Sequence, residues 1–395
     1  PRHAPRRRRC PMIRPTSIRL EASSRCQLRC PSCPTATGAI HPAIGSGCLR
    51  ADDFSRLIDD NPQLGRIELS NYGEIFLNPQ LLDILRIAHE RRVALSADNG
   101  ANLNDVRGEV LEGLVRYGLR TLSCSIDGCS PETYAVYRVG GSFDAVIRNI
   151  EAINAHKRAY RSEFPRLRWQ FIVFGHNEHE LERARELASR LGMSFFIKLS
   201  WDDAASPLRD RERVRRESGA SSRAEFRKLH GRDYAHGICR QLWEEPQINW
   251  DGGVLGCCRN FWGTFGGNAF RDGLRASVNS ERMNYARRML EGLAEPRADI
   301  PCATCDLYRD RRARGIWRMR FEGVTDRVKR FARRRGKFIR GGRRVFAGCG
   351  RQSPPRRAGP GSGRAGRRKR GDSAPTRSRG RSRGGSATPR PGTAG

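Results

Sequence analysis

The stretch Cys26-Gln-Leu-Arg-Cys30-Pro-Ser-Cys33 decides how this sequence is interpreted. It directly follows residues 18–22, a short apolar run typical of a β-strand. Three thiolates within eight residues can hold one iron–sulfur cubane, because Cys thiolates are the usual ligands of [4Fe-4S] clusters. Three ligands leave one iron open for a small molecule. A zinc site would need a fourth protein ligand, for which His41 is the nearest candidate.

Strand-like and helix-like segments alternate after this first strand. The further strand-like runs are residues 66–70, 93–97, 121–126, 167–174 and 194–198. Apolar residues spaced three to four apart predict helices at residues 79–91, 103–117, 143–156 and 178–191. Six strands alternating with helices predict parallel βα units, two fewer than the eight of a full TIM barrel. We therefore predict an α/β fold with a partial (β/α)6 TIM-like barrel over residues 17–201.

A second group of cysteines lies in a small unit, residues 236–308. Cys239 precedes a predicted strand at residues 247–250, which a turn at residues 251–253 joins to Cys257 and Cys258. Such a hairpin brings Cys239 toward Cys257, and the pair Cys302 and Cys305 follows later in the chain. Zinc and iron–sulfur clusters are both compatible with four thiolates. The unit is too small for a large core, so a metal centre is expected to stabilise it.

The first cysteine motif resembles the CxxxCxxC signature of the radical SAM enzymes, and motifs at later strand ends resemble the same family. Gly73-Glu74 resembles the end of a Gly-Gly-Glu motif that meets the methionyl amine of S-adenosylmethionine (SAM), with Tyr72 in place of the first Gly. The segment from Ser125 to Asp127 matches a Ser-x-Asp-Gly motif at the ribose and carboxylate end of SAM. The resemblance implies that Cys26, Cys30 and Cys33 hold the SAM-binding [4Fe-4S] cluster, and that the SAM-binding residues are Gly73, Glu74, Asn99, Ser125, Asp127 and Arg138.

Several of these residues also have a purely structural explanation. Glu74 suits a helix N-terminus, and Asn99-Gly100 and Asp127-Gly128 are common turn sequences. Their recurrence at successive strand ends favours the cofactor site. Residues 176–179, with the sequence His-Asn-Glu-His, either face the substrate or cap the next helix, and Asn before Glu favours the cap.

The second cysteine group resembles the SPASM/twitch auxiliary-cluster domain. The spacing of Cys239, Gly252 and Cys257 is similar to the start of that domain, and Cys302-x-x-Cys305 is similar to its closing CxxC. This resemblance implies one auxiliary [4Fe-4S] cluster held by Cys239, Cys257, Cys302 and Cys305. The spacing favours Cys257 over Cys258. The cysteines without ligand spacing are Cys10, Cys48, Cys124, Cys129 and Cys349.

Together the resemblances imply a radical SAM enzyme. Such an enzyme reductively cleaves SAM to methionine and a 5′-deoxyadenosyl radical, which abstracts hydrogen from a peptide, protein or small-molecule substrate. The implied reductant is flavodoxin or ferredoxin. The cysteines are too closely clustered for the disulfide framework of a secreted protein, and such clusters are typical of metal binding in intracellular proteins. We therefore expect the protein in a reducing cytoplasm.

The charge of the chain is concentrated at its two ends. The 395 residues include 75 basic and 42 acidic side chains, a net charge of +33. Residues 327–395 hold 23 Lys or Arg and one acid, and residues 1–14 hold six Arg and no acid, so the region between them carries only +5. A basic tail binds nucleic acid without sequence preference, which makes an RNA-modifying enzyme an alternative. The tail lacks interleaved aromatic residues, so nucleic acid is not the favoured partner.

Two further alternatives concern the cysteines and the tail: a zinc-binding structural protein, and a tail that is a read-through segment of the gene. No apolar run reaches ~18 residues, so no membrane span is predicted. The predicted organisation is a disordered basic N-terminus at 1–16, the core at 17–201, a linker at 202–235, the cluster domain at 236–308, a basic helical extension at 309–340 and a disordered tail at 341–395.

Overall fold

A computed structural model describes residues 12–317. Most of the predicted N-terminal segment and of the 309–340 extension, and the whole 341–395 tail, lie outside the described residues. Among residues 12–317, no helix is both long and apolar enough to cross a membrane.

One eight-stranded sheet forms the centre of the molecule. Its strands are β1 Ser17–Leu20, β2 Arg66–Glu68, β3 Ala94–Ala101, β4 Thr121–Ser125, β5 Arg166–Val173, β6 Ser194–Leu199, β7 Gln247–Ile248 and β8 Val254–Gly256. Their order is β6-β5-β4-β3-β2-β1-β7-β8, and neighbouring strands from β1 to β6 are all parallel. The predicted α/β fold with six parallel strands is confirmed.

The hairpin of the second unit extends this sheet, which the sequence did not predict. Strand β7 pairs in parallel with β1, with Arg19 opposite Gln247, and β8 pairs antiparallel with β7. The cysteine-rich unit is therefore joined to the barrel by backbone hydrogen bonds. A two-residue strand carries almost no periodic signal, so its long-range partner could not be recognised.

Helices cover the strands on the outside. They are α1 Ala51–Asp59, α2 Leu81–Glu90, α3 Gly108–Arg116, α4 Pro131–Tyr137, α5 Phe143–Ala159, α6 Leu181–Arg190, α7 Arg211–Ser218, α8 Arg223–His230, α9 Gln241–Glu244, α10 Leu274–Val278, α11 Glu281–Leu290 and α12 Asp306–Ala313. Helix α3 begins five residues later than predicted, because β3 continues to Ala101 and Leu103 has a φ of 55°. Helix α1 was not predicted, although Phe54, Leu57 and Ile58 form a buried face.

The two faces of the sheet differ in polarity. Side chains such as Ile18, Leu20 and Trp169 face the helices and are fully buried. Each buried apolar side chain of this size contributes roughly 1.5–3 kcal/mol. The opposite side, here called the polar face, carries the alternate residues of neighbouring strands. Strand register aligns on this face Arg19, Glu68, Ser96, Ser123, Ser125, Gln170, Lys198 and Gln247.

Candidate functional site

The loop with the first three cysteines leaves the carboxyl end of β1 and is held there by backbone contacts. Glu74 N donates to Arg25 O at 2.7 Å, and Arg29 N donates to Val139 O at 2.9 Å. Further along, Thr35 Oγ1 donates to the Tyr72 carbonyl at 2.7 Å. The ends of β2 and α4 therefore fix the loop. Ligand loops at the carboxyl ends of barrel strands are the usual place for active sites.

Two hydrogen-bond donors point at the thiols of this loop. Arg138 Nη1 lies 3.8 Å from Cys30 Sγ, and Asn102 Nδ2 lies 3.7 Å from Cys26 Sγ. Burial raises the pKa of the Cys26 thiol to about 11 and also raises the pKa of Cys30. Buried thiolates therefore need a positive partner, and hydrogen bonds to sulfur are one means by which proteins adjust iron–sulfur clusters. The three thiols with their donors fit a thiolate-bound cluster.

The thiols are not arranged around a single ion. Within residues 12–317, no three His, Cys, Asp or Glu side chains converge to hold one metal ion. A zinc ion would bring each sulfur to ~2.3 Å from a common centre, whereas a four-iron cubane binds each thiolate through a different iron atom.

Gly73 and Glu74 make their contacts within the protein. A side chain at Gly73 would overlap the backbone of Ser23 and Ser24, so the glycine permits close approach of the strand that leads into the cysteine loop. Glu74 is buried, and its carboxylate accepts hydrogen bonds from Phe76 N at 3.3 Å and from Asn102 N. Burial raises the pKa of Glu74 to about 7. Glu74 therefore caps the short helix at Ile75–Leu77, which is the structural explanation offered for this residue.

Asn99 and Ser125 lie at the ends of neighbouring strands. Asn99 Nδ2 donates to Asn71 O at 3.1 Å, and its backbone N–H donates to Ser70 Oγ at 3.0 Å. Ser125 Oγ accepts from Gln170 Nε2 at 3.3 Å. Both side chains thus lie at the carboxyl edge of the sheet, as Glu74 does.

Asp127 and Arg138 form a buried ion pair. Asp127 Oδ2 lies 2.6 Å from Arg138 Nη2, and its Oδ1 accepts from Ile172 N at 2.6 Å. Burial opposes the charged form of Arg138, but Asp127 and Cys30 outweigh it and raise the pKa of the guanidinium. Asp127 therefore has both oxygens bound within the protein, and it orients Arg138 toward Cys30.

The second cysteine group surrounds one cavity between α9, β8 and α12. Cys239, Cys257, Cys302 and Cys305 line it, together with apolar side chains such as Leu242 and Phe265. Burial raises the pKa of Cys257 and of Cys302 well above the usual thiol value. Four thiols around one apolar cavity suit a thiolate-bound cluster.

Cys258 does not line this cavity. Its N–H donates to Gln241 Oε1 at 2.7 Å, and its carbonyl accepts from Tyr72 OH at 2.8 Å. Its thiol lies within electrostatic reach of Arg19 and Lys198, two cations of the polar face, so its side chain is on the barrel side. The geometry thus separates the two adjacent cysteines.

Residues 176–179 contact the segment that follows β6. Glu178 accepts from Arg209 N at 3.0 Å and from Asp210 N at 2.9 Å, and His176 Nδ1 lies 3.0 Å from Ser206 Oγ. Asn177 stands before the short helix at Glu178–Glu180, but its side chain accepts from Phe174 N and makes no forward cap. These residues therefore hold the chain near the site by contacts that differ from the predicted cap.

Three charged residues near the site, two buried carboxylates and one half-buried lysine, were not singled out from the sequence. Glu21 accepts from Tyr72 N at 3.0 Å and from Gly73 N at 3.1 Å, and burial raises its pKa to about 7. Glu68 accepts from Ser96 Oγ at 2.7 Å, and Lys198 stands on the polar face at β6. A signal existed: Arg19 in β1 and Glu21 just after it alternate with apolar residues, which indicates a polar side of the barrel.

Comparison with known proteins agrees with this geometry. Residues 20–188 match the radical SAM superfamily, and residues 239–306 match SPASM, an iron–sulfur cluster-binding domain. An AdoMet-dependent heme synthase of Methanosarcina barkeri is 30% identical over 182 residues, which are 45% of this chain and 48% of that protein. A tungsten-containing aldehyde ferredoxin oxidoreductase cofactor-modifying protein of Pyrococcus furiosus is 26% identical over 183 residues, 45% of this chain and 49% of that one.

Solved structures give the same fold. Streptococcus suis SuiB bound to S-adenosylmethionine superposes with a TM-score of 0.53 at 14% identity, covering 75% of this chain and 71% of that one. The chain spans about half the length of the curated relatives it matches. This chain thus contains a radical SAM domain, which carries the three-cysteine loop, and a SPASM iron–sulfur cluster-binding domain, which carries the four-cysteine cavity.

Proposed function

We propose that this protein is a radical SAM enzyme that binds SAM at a [4Fe-4S] cluster in the three-cysteine loop and abstracts hydrogen from its substrate. The observation that carries the proposal is the position of Cys30 at the carboxyl edge of the sheet, with Arg138 directed at its sulfur. Cys26 and Cys33 complete the ligand set. With a reduced cluster held there, the site would supply the electron for cleavage of SAM to methionine and a 5′-deoxyadenosyl radical.

The protein's own residues would bind and orient SAM. Arg138, held by Asp127 at 2.6 Å, is a fixed cation for the SAM carboxylate. Gly73, Glu74, Asn99 and Ser125 lie at the ends of the neighbouring strands, where they would contact the remaining parts of SAM. The buried carboxylate of Glu74 offers a hydrogen-bond acceptor for an amine.

The auxiliary cluster would be held by Cys239, Cys257, Cys302 and Cys305, which line one cavity. In this arrangement Cys258 is outside the ligand set. The auxiliary cluster would accept an electron from the substrate or contact the substrate directly.

Relatives of different kinds support a broad substrate class. SuiB has been solved with a precursor peptide, SuiA, whereas the curated relatives are named for heme synthesis and for cofactor modification. We propose a peptide, a protein or a small metabolite, with flavodoxin or ferredoxin as reductant in a reducing cytoplasm. RNA modification and a zinc-bound structural protein are the less favoured alternatives.

Anaerobic reconstitution tests the proposal. We expect about eight iron and eight sulfide per chain, the content of two four-iron clusters. With dithionite, the protein should convert SAM to 5′-deoxyadenosine. Bound zinc without sulfide would contradict the proposal.

Single-cysteine variants separate the two clusters. Cys30→Ala should abolish formation of 5′-deoxyadenosine and remove about half of the iron, whereas Cys302→Ala should remove about half of the iron and retain SAM cleavage. Cys48→Ala, at a half-buried thiol outside both groups, is the matched control and should change neither. Retained SAM cleavage in Cys30→Ala would refute the assignment of the first cluster.

A further inference from the structure

Lys198 is a cation on the polar face of the sheet that has no acidic partner. It lies on β6 opposite Ile172 of β5, at the open edge of the parallel strands. Its Nζ donates to Gln170 Oε1 at 3.3 Å. Within residues 12–317, no carboxylate oxygen lies within 4.0 Å of this nitrogen. A half-buried ammonium without a counter-ion is costly unless a ligand supplies one.

The other charges of this region are paired. Arg19 lies 3.5 Å from Glu245 and 3.9 Å from Glu68, and Arg138 is bound by Asp127. The positive charge of Lys198 is therefore not a general property of the face. It is confined to the β6 edge, beside the loop that carries the first cysteines.

A second cation stands next to Lys198. Arg223, the first residue of α8, donates from Nε to the Ser200 carbonyl at 2.8 Å and from Nη2 to the Leu199 carbonyl at 3.0 Å. These bonds anchor the guanidinium at the carboxyl end of β6, one residue beyond Lys198. Its Cζ also lies 3.2 Å from the ring centre of Trp201.

One nitrogen of Arg223 remains unused. Nη1 is buried and has no hydrogen-bond partner among residues 12–317. The acids nearest to the guanidinium, Asp203 and Asp233, form no ion pair with it in that part of the chain. A buried charged donor without an acceptor is rare in folded proteins and calls for an explanation.

Burial disfavours the charged form of both groups, and the charge of Arg223 further disfavours that of Lys198. Burial, followed by the charge of Arg223, lowers the pKa of Lys198 to about 8. Burial likewise lowers the pKa of Arg223 to about 10. An anion bound between the two groups would relieve both effects, since it offers acceptors to Lys198 Nζ and Arg223 Nη1.

We propose that Lys198 and Arg223 bind a carboxylate of the substrate at the β6 edge of the barrel. This assignment rests on the proposed function, in which the barrel edge holds SAM and substrate. Arg138, paired with Asp127 beside Cys30, is the cation placed for the SAM carboxylate, so Lys198 and Arg223 remain for the substrate. A neutral substrate would leave two cations unpaired.

Calorimetric titration of the full chain, kept anaerobic and reduced, tests the proposal. The probes are acetate, the neutral isostere acetamide, and inorganic phosphate, all at one ionic strength. We expect the protein to bind acetate and not acetamide. Absence of acetate binding would overturn the proposal, and binding of phosphate without acetate would overturn its carboxylate assignment.

Two lysine variants isolate the site from the general positive charge of the chain. Lys198→Met and Lys228→Met remove the same charge, but Lys228 is exposed on α8. Lys198→Met should weaken acetate binding by about tenfold or more, as expected for loss of a charge-assisted hydrogen bond, and Lys228→Met should not. Equal losses in both variants would overturn the site.

Two more variants test whether a loss of acetate binding in Lys198→Met comes from misfolding of the protein. Lys198→Arg keeps the cation and should retain acetate affinity to within a few-fold, and Arg223→Gln should lose it as Lys198→Met does. The titration needs neither SAM cleavage nor substrate. A protein that binds acetate but forms no 5′-deoxyadenosine would therefore refute the proposed function and leave the anion site standing.

Discussion

At the scale of single residues, the contact between Asp127 and Arg138 makes the sharpest prediction. Asp127→Asn keeps the shape of the side chain and the hydrogen bond that Ile172 N donates to it. It also turns an uncharged amide toward the buried guanidinium of Arg138. Removing one partner of a buried pair costs about 3–5 kcal/mol, so the free energy of unfolding should fall by that order. Because Arg138 loses its fixed orientation, we expect the KM for SAM to rise about tenfold, measured from 5′-deoxyadenosine formation.

The control for this variant is an exposed ion pair. Glu163 lies 2.9 Å from Arg166 at the surface, so Glu163→Gln should change neither stability nor KM measurably. The iron content of Asp127→Asn should equal that of the wild type, because none of the cysteine ligands is altered. An unchanged KM in a folded Asp127→Asn protein would contradict the role given to Asp127.

The buried carboxyl group of Glu21 should make the free energy of unfolding depend on pH. Burial raises its pKa from 4.5 to about 7, so between these values the folded chain holds a proton that the unfolded chain has released. The free energy of unfolding should therefore fall as the pH rises through this window, by up to about 3 kcal/mol from this residue. Glu21→Gln can still accept a hydrogen bond from Gly73 N, but it cannot titrate. It should therefore remove the contribution of Glu21 to the slope of unfolding free energy against pH, measured by urea denaturation of the reduced, cluster-free chain.

Glu151→Gln, at an exposed position on α5, is the control and should retain the wild-type slope. Identical slopes for wild type and Glu21→Gln would show that Glu21 is ionised in the folded protein throughout this pH range.

At the scale of elements, the junction between the barrel and the cysteine-rich hairpin is the main finding. Tyr72 stands where related motifs have Gly, and its OH donates to the Cys258 carbonyl at 2.8 Å. Its ring also meets Phe261 edge-on, with centroids 6.3 Å apart. The residue that departs from the motif thus ties the SAM side of the barrel to the segment beside Cys257.

Tyr72→Phe should lower the free energy of unfolding by about 1 kcal/mol, the usual net value of one hydrogen bond within a protein. It should also speed amide exchange at residues 255–260, followed by mass spectrometry. Tyr308→Phe is a matched control, because the buried Tyr308 hydroxyl has no partner within residues 12–317 and its loss should cost nothing. Equal effects of the two substitutions would show that the Tyr72 hydroxyl does not support the junction.

The elements also show what the sequence could and could not predict. The six parallel strands follow from apolar runs, and the spacing of the cysteines is enough to pick out both thiol groups. The pairing of β7 with β1 depends on contacts about 228 residues apart, between Arg19 and Gln247, which no local pattern encodes. Asp127 and Arg138 are only 11 residues apart, yet the sequence identified them separately and not as an ion pair, because their pairing depends on the path of α4 and the turns around it.

At the scale of the whole molecule, charge and chemistry occupy different parts of the chain. Residues 20–188 and 239–306 carry the two family domains, whereas residues 341–395 hold 15 Lys or Arg and one acid. The cysteines of both thiol groups precede that segment. If the tail contributes only non-specific electrostatic attraction, catalysis and nucleic-acid binding should be separable by truncation.

A chain that ends at residue 340 should form 5′-deoxyadenosine from SAM at a rate within about twofold of the full chain, because every proposed ligand of cluster and SAM is retained. Its affinity for a random duplex should fall by at least about tenfold at low salt, and the dependence of that affinity on salt should become shallower, since fewer phosphates are neutralised. Fluorescence anisotropy measures the second effect on the same preparations. Loss of SAM cleavage on truncation, with iron content unchanged, would mean that the basic segment takes part in catalysis and would restore the RNA-modifying alternative.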